Sequence, residues 1–263
     1  MPLYQSPLVC IERCDHPPDV PHVDPDEEQS SAYCVSFVER GAFSVIANRR
    51  TWSVGASQVF VTVPGMVYRC DHHDNPDDVC LCVGFGAGRG VEDETALNLQ
   101  GLVGRTPVTP LTNRREYLRR RLTDRLAHGD PLTIESIAGE LLRDMIDGAE
   151  SRRLFASEQL AWYARRVDAV RDQLDSDYAS PHSLTSLARS AGMSPFHFAR
   201  VFRELTDVPP HRYLVAVRLR AAVERLRQGD SVTDTCFAVG FNSLGHFIEM
   251  FRRTYGVSPS RFQ

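Results

Sequence analysis

The sequence predicts an α+β chain: an N-terminal antiparallel β-sandwich or barrel, a pair of helices, and a C-terminal all-α domain holding two helix-turn-helix units. Three observations predict this. Positions 33–85 carry short runs rich in Val, Phe and Tyr separated by turn residues; after Pro110 the apolar residues take up helical spacing; and a segment around Phe198 recurs 49 positions later around Phe247. The corresponding domains are 1–110, 111–155 and 156–263.

Taken in order, the first 30 residues hold Pro17, Pro18, Pro21, Pro25 and an acidic run at 24–28 with no sustained period, which predicts an irregular lead-in. Strands are expected at 33–38, 43–47, 58–63, 66–70 and 79–83. Gly41, Gly55, Pro64-Gly65 and the Asp/Asn-rich 74–78 separate them. A helix over 113–128 carries Leu118, Leu122 and Leu126 every fourth residue, and Gly129-Asp130-Pro131 ends it. The next helix repeats Ile134, Ile137, Leu141 and Met145 at three-and-four spacing. That face packs either on the β-domain or on a second subunit.

A chain of 263 residues with 42% hydrophobic content buries a real core, which excludes a peptide hormone or a disordered tail. No apolar run approaches the roughly 20 residues that cross a bilayer, and the opening Met1-Pro2-Leu3-Tyr4-Gln5 lacks a secretion signal. A cytoplasmic protein without membrane contact is expected. Seven cysteines, an odd number with no Cys-x-x-Cys pair, point to free thiols in a reducing compartment.

The net charge of −4 is unevenly spread. Residues 1–156 hold 16 Arg and 23 acidic residues, a balance of −7, whereas 157–263 hold 14 Arg and 11 acids, a balance of +3. The C-terminal part is the one suited to a polyanion. All 30 basic residues are arginine, the side chain that forks onto phosphates and guanine edges. In the N-terminal part, Arg114, Arg115, Arg119, Arg120 and Arg121 are expected to be a solvated cluster, as are Asp168, Asp172 and Asp175 on the outer face of a later helix.

In the repeat, Phe198, Phe202, Val208, Pro210, Arg212 and Tyr213 return as Phe247, Phe251, Val257, Pro259, Arg261 and Phe262, and Gly192 as Gly240. Each copy reads as a short helix, a turn through glycine and a second helix. Leu184, Leu187 and Ala188 precede the first turn, and Phe198, Val201, Phe202 and Leu205 bury the following helix. Ser194, Phe196, His197, Arg200 and Arg203 then lie along the side that a major groove would meet. In the second copy Val232, Phe237 and Val239 precede the turn, Phe247, Met250 and Phe251 face inward, and Asn242, Ser243, His246, Glu249, Arg252 and Arg253 face outward. Residues 209–228 read as one connecting helix of roughly 20 residues, about 30 Å long, against about 34 Å between successive major-groove faces.

These residues resemble the DNA-binding domain of the AraC/XylS family of regulators. The resemblance rests on 188–202, on Pro209-Pro210-His211-Arg212-Tyr213-Leu214 with Arg218-Leu219, and above all on Val239-Gly240-Phe241-Asn242-Ser243, Phe247, Phe251-Arg252-Arg253, Tyr255-Gly256 and Ser258-Pro259-Ser260-Arg261-Phe262. Glu249 departs from the pattern, where the family usually has a basic or polar residue. The resemblance implies a transcription regulator that binds double-stranded DNA, acts as a homodimer with RNA polymerase as a further partner, and is not an enzyme. It also implies that the N-terminal part is a cupin-like effector barrel with dimerisation helices.

Six of the seven cysteines lie within residues 1–82, and Cys80 and Cys82 share one face of a strand. If Cys34, Cys70, His72 or His73 approaches that face, a zinc or copper site or a thiol sensor becomes feasible; small buried thiols in a core are the alternative. An organic effector would instead meet Phe43, Trp52, Phe60 or Tyr68. A cupin oxygenase needs two histidines and a carboxylate on iron, and adjacent His72 and His73 in a strand point to opposite faces. The alternative of another class is a DNA-repair cysteine alkyl acceptor coupled to an AraC-type DNA-binding domain.

Overall fold

The structure, a computed structural model, describes residues 2–16, 27–72, 77–86, 91, 93–128, 130–147 and 155–262. The prolines Pro17, Pro18, Pro21 and Pro25, His73, Gly129 and the turn residues 74–76 lie outside them. Two compact units divide the chain, Met1–Leu154 and Phe155–Gln263.

In the first unit, alternating burial along each strand builds two antiparallel sheets. Strands β1 (Tyr4–Gln5), β2 (Val9–His16), β3 (Glu28–Gln29), β4 (Tyr33–Arg40), β5 (Ala42–Ala47), β6 (Arg50–Gly55), β7 (Gln58–Thr62), β8 (Val67–Asp71) and β9 (Asp78–Phe85) are followed by helix α1 (Asp93–Arg105) and β10 (Val108–Pro110). One sheet has the order β1-β2-β9-β4-β7-β10 and the other β3-β8-β5-β6. Val38, Phe43, Val45, Val54, Phe60 and Cys80 form a core cluster drawn from both.

The five expected strands correspond to β4, β5, β7, β8 and β9, but three expectations need correction. No ladder joins the two sheets among the described residues, so the strands make a two-sheet sandwich and not a closed barrel. Where it is described, the lead-in is not irregular: β2 is eight residues long and pairs with β9 from Val9↔Phe85 to His16↔Asp78. Its Val9 and Ile11 are buried, while Glu12, Arg13 and Asp15 interrupt the apolar alternation that would have announced it. Strand β6 and helix α1 were also not foreseen; β6 buries only Val54, and α1 buries Leu99 and Val103 while leaving Leu97 69% exposed.

Between β4 and β5 the chain turns sharply. A register shift interrupts the β4–β9 ladder between Val38 and Arg40, and Gly41 adopts φ +74°. A Cβ there would stand 2.5 Å from the Asp77 carbonyl oxygen and 2.8 Å from Asp78 Cα, so glycine permits the close approach that seats the start of β9.

Helices α2 (Asn113–His128) and α3 (Pro131–Asp147) pack on each other. Leu118, Leu122, Ile134, Ile137, Leu141 and Met145 are all buried within the single chain, so a second subunit is not needed to cover this face. The arginines of α2 are not a solvated cluster. Arg115 is 4% exposed and donates to Asp144 Oδ2 at 3.0 Å, Thr109 Oγ1 at 3.0 Å and the Pro110 carbonyl at 2.7 Å. Arg114 pairs with Asp144, Arg119 with Glu116 and Glu39, Arg120 with Glu116, and Arg121 with Glu140. A buried guanidinium must be paired to offset its desolvation, and the partners are Glu116 on the same helix and Glu39, Glu140 and Asp144 farther along the chain.

The second unit is helical throughout: α4 (Ser157–Ser176), α5 (Leu184–Ser190), α6 (Pro195–Thr206), α7 (Pro210–Arg227), α8 (Val232–Ala238), α9 (Leu244–Tyr255) and α10 (Pro259–Phe262). Helix α4 buries Val167, Val170 and Leu174, leaving Asp172 and Asp175 exposed, and Asp175 accepts a hydrogen bond from the Tyr213 hydroxyl. Helix α7, 18 residues and about 27 Å long, packs against α4, α6, α8 and α10.

Candidate nucleic-acid interface

The two copies close their turns identically. In the first, Gly192 N–H bonds the Arg189 carbonyl and Met193 N–H the Ala188 carbonyl; in the second, Gly240 N–H bonds Phe237 and Phe241 N–H bonds Cys236. This is the Schellman ending of a helix, which needs a left-handed residue, and Gly192 and Gly240 have φ +65° and +91°. The spacing between copies is 48 from α5 to α8 and 49 from α6 to α9, because Asn242 is an extra residue in the second turn.

Beyond the turn, Phe198, Val201, Phe202 and Leu205 of α6 and Phe247 and Phe251 of α9 are 0% exposed. Met250 is half-buried. Phe237 is 56% exposed, so Cys236 and Val239, both 0% exposed, do the packing expected of it. The opposite sides are outward: Ser194, Arg200 and Arg203 on α6, and Asn242, Ser243, His246, Glu249, Arg252 and Arg253 on or beside α9 are exposed. Phe196, in the first turn of α6, is 87% exposed. Among the described residues, Arg203, Arg252 and Arg253 carry no ion pair.

His197 differs from expectation. It is half-buried, its Nε2 hydrogen-bonded with the Tyr163 hydroxyl of α4 at 2.9 Å and its Nδ1 with Arg200 Nη2 at 3.2 Å. Both ring nitrogens are thereby engaged, and His197 positions Arg200 instead of standing open beside it. Tyr163 gave no signal in the sequence, since its role depends on α4 crossing α6. The serines differ as well. The Ser243 hydroxyl caps α9 by accepting from His246 N–H at 3.3 Å, whereas Ser194 at the start of α6 makes no such bond.

Polar contacts hold the helices around this surface. Arg218 of α7 donates to the carbonyls of Tyr178 at 2.8 Å and Ser180 at 3.0 Å, and its burial lowers its pKa. Arg171 lies 5.2 Å over the Tyr213 ring, and burial pushes the Tyr213 hydroxyl pKa up.

The N-terminal candidates separate into three groups. Phe43 and Phe60 are buried and, with half-buried Tyr68, stack edge-on inside the core cluster, while half-buried Trp52 stands outside it. Cys34, Ser36 and Cys82 make a chain with Cys14: Cys34 Sγ is 3.6 Å from Ser36 Oγ, Ser36 Oγ donates to Cys82 Sγ at 3.5 Å, and Cys82 Sγ lies 3.7 Å from Cys14 Sγ. The hydrogen bond from Cys82 holds the Cys34 thiol pKa below its ordinary value against the opposing effect of burial, whereas Cys82 is pushed up to about 12. The third group joins His72 to two residues that sequence reasoning missed, His16 and Asp78. Cys80 touches this group through Asp78 Oδ2 at 3.8 Å, and Cys70 sits on the other sheet.

Two helix-turn-helix units, each with an outward second helix, are what this fold defines. A family model described as "Helix-turn-helix domain" matches residues 187–263. The chain is similar to the bifunctional transcriptional activator/DNA repair enzyme AdaA of Bacillus subtilis (strain 168), 30% identical over 98 residues, or 37% of this chain and 46% of that protein. It is also similar to the HTH-type transcriptional activator RhaS of Escherichia coli O139:H28 (strain E24377A / ETEC), 31% identical over 109 residues, or 41% of this chain and 39% of that one. Among solved structures, the DNA-binding domain of AdpA in complex with a target DNA is 31% identical and covers 38% of this chain and 87% of that chain, at a TM-score of 0.33. The chain spans less than half the length of these two curated relatives. Its C-terminal unit carries the matched helix-turn-helix domain and is there similar to these regulators. No helix among the described residues is long and apolar enough to cross a membrane.

Proposed function

We propose that the chain is a cytoplasmic, sequence-specific regulator of transcription that grips double-stranded DNA with α6 and α9. Its N-terminal sandwich serves as a cupin-like effector domain, and a homodimer meets RNA polymerase at the promoter. The carrying observation is the repeated pair of outward stripes, Ser194, Arg200 and Arg203 on α6 and His246, Arg252 and Arg253 on α9, each backed by a fully buried aromatic face. Guanidinium groups there can fork onto guanine edges or pair with phosphates, and polar neighbours set the register. Phe196 adds an apolar contact suited to a thymine methyl. The test is selection of duplexes from a random pool by the full chain. Enrichment of one motif, with log affinity falling linearly against log salt, supports the reading; no enrichment and no shift of any duplex refutes it.

A second reading, the cysteine alkyl acceptor, draws on the lowered Cys34 thiol and on a relative named as a DNA repair enzyme. Incubation with DNA carrying radiolabelled methyl groups decides it. Stable label on Cys34 supports the acceptor, and label confined to DNA rules it out.

A further inference from the structure

We propose that His16, His72 and Asp78 form a binding site for a divalent first-row transition-metal ion inside the N-terminal sandwich. His16 ends β2 directly opposite Asp78, which opens β9, and His72 follows β8 of the other sheet. The site thus joins the two sheets at one end. His16 Nδ1 lies 3.2 Å from Asp78 Oδ1, His72 Nε2 lies 3.9 Å from the same oxygen, and the three donor atoms all fall within 4.8 Å of one another. Donors bound at about 2.0–2.1 Å in a tetrahedron stand roughly 3.4 Å apart, so a small closure of the His72 ring completes the geometry.

Asp78 supplies the independent observation. Its side chain is 0% exposed, and Oδ1, the oxygen both imidazoles approach, accepts no hydrogen bond of good geometry. The other oxygen is engaged: the Cys80 thiol donates to Oδ2, and His16 Nδ1 is hydrogen-bonded with it at 3.3 Å. A buried carboxylate oxygen without a donor is costly unless a cation meets it. The His16 and His72 rings are 4.3 Å apart, so one ion can reach both. One divalent ion satisfies all three donors at once. Phe43, 5.3 Å from the His72 ring, walls the site with an apolar face.

The donor set selects the ion. Two imidazole nitrogens and one carboxylate oxygen suit zinc or iron(II), whereas magnesium and calcium demand oxygen ligands, and copper(I) prefers the separate chain of Cys14, Cys34 and Cys82. Use of this ion as the regulatory signal rests on the proposed function above; the site itself does not.

The test uses the full chain, stripped by a chelator and titrated with zinc under reducing conditions without DNA. We expect one equivalent bound that resists competition by magnesium and calcium, retained when Cys14, Cys34 and Cys82 are all replaced by serine. His72→Ala and Asp78→Asn should each weaken zinc at least tenfold. His16→Gln, at the more exposed ligand, should do the same with an unchanged circular dichroism spectrum, which covers the case in which the other variants misfold. Zinc binding lost only in the triple-serine protein, binding unaffected by His16→Gln, or no binding by the wild type would each overturn the proposal. DNA affinity, measured separately, reports on the regulatory reading alone.

Discussion

At equivalent places in the two helix-turn-helix units, Gly192 and Gly240 face different neighbours. A Cβ on Gly192 would meet only Arg166 Nε, at 3.7 Å, whereas one on Gly240 would meet the Ala179 backbone, with the carbonyl oxygen at 2.5 Å. The first unit is instead held through its second helix, where Tyr163 grips His197; the His246 ring in the second copy has only an edge contact, 5.7 Å from Phe241. One unit is anchored at its second helix and the other at its turn. Charge follows the same asymmetry, since Arg200 and Glu249 occupy matching positions while Arg203 and Arg252 repeat. The repeat preserves the buried phenylalanines, Phe198 with Phe247 and Phe202 with Phe251, while the outward pair Arg200 and Glu249 diverges.

The largest expected effect sharpens the comparison at the turns. Gly240→Ala combines a positive φ with a backbone clash and should cost on the order of 3–5 kcal/mol, while Gly192→Ala bears the conformational penalty alone, about 1–2 kcal/mol. Urea melts of the two full-length variants check this, and equal losses would erase the distinction. Next comes Arg200→Ala, which should weaken a selected duplex by about 1–3 kcal/mol while leaving random DNA nearly unchanged. Fluorescence anisotropy on both duplexes reads it; a uniform loss would make Arg200 a phosphate contact. Tyr163→Phe should be smaller, about 0.5–1.5 kcal/mol on the selected duplex, because it removes one hydrogen bond that orients His197 and through it Arg200. No change in the selected-to-random ratio would show that the anchor is structural only.

Legibility in the sequence divided along physical lines. The helical unit was readable because its packing is local: Phe198 and Phe202, or Phe247 and Phe251, lie one turn apart and declare their own face. The sandwich was half readable. Strand β4 announces itself with Tyr33, Val35 and Phe37, but β2 mixes Glu12, Arg13 and Asp15 into its exposed end, and its existence depends on pairing with β9. The same register brings His16 to Asp78, and the packing of α2 on α3 brings Arg115 to Asp144, pairings that link positions far apart in the chain. His72 was noticed, and its companions were not, because only strand pairing reveals them. Tyr163 was invisible for the same reason, as a contact between two helices leaves no period in either.

Because Glu249 stands where the first copy has Arg200, we propose that the first helix-turn-helix copy carries more of the base-reading affinity and the second screens, and Glu249→Ala checks this. A carboxylate facing a phosphate-walled groove is repelled unless it accepts from a cytosine amino group, so its removal separates the two roles by sign. Affinity of the full chain is measured at fixed salt for the selected duplex and for duplexes altered in the second half-site. Equal or tighter binding to the selected duplex and increased binding to the altered ones are expected. A loss of about 1–3 kcal/mol confined to the selected duplex would contradict that proposal and make Glu249 a base reader equal in rank to Arg200.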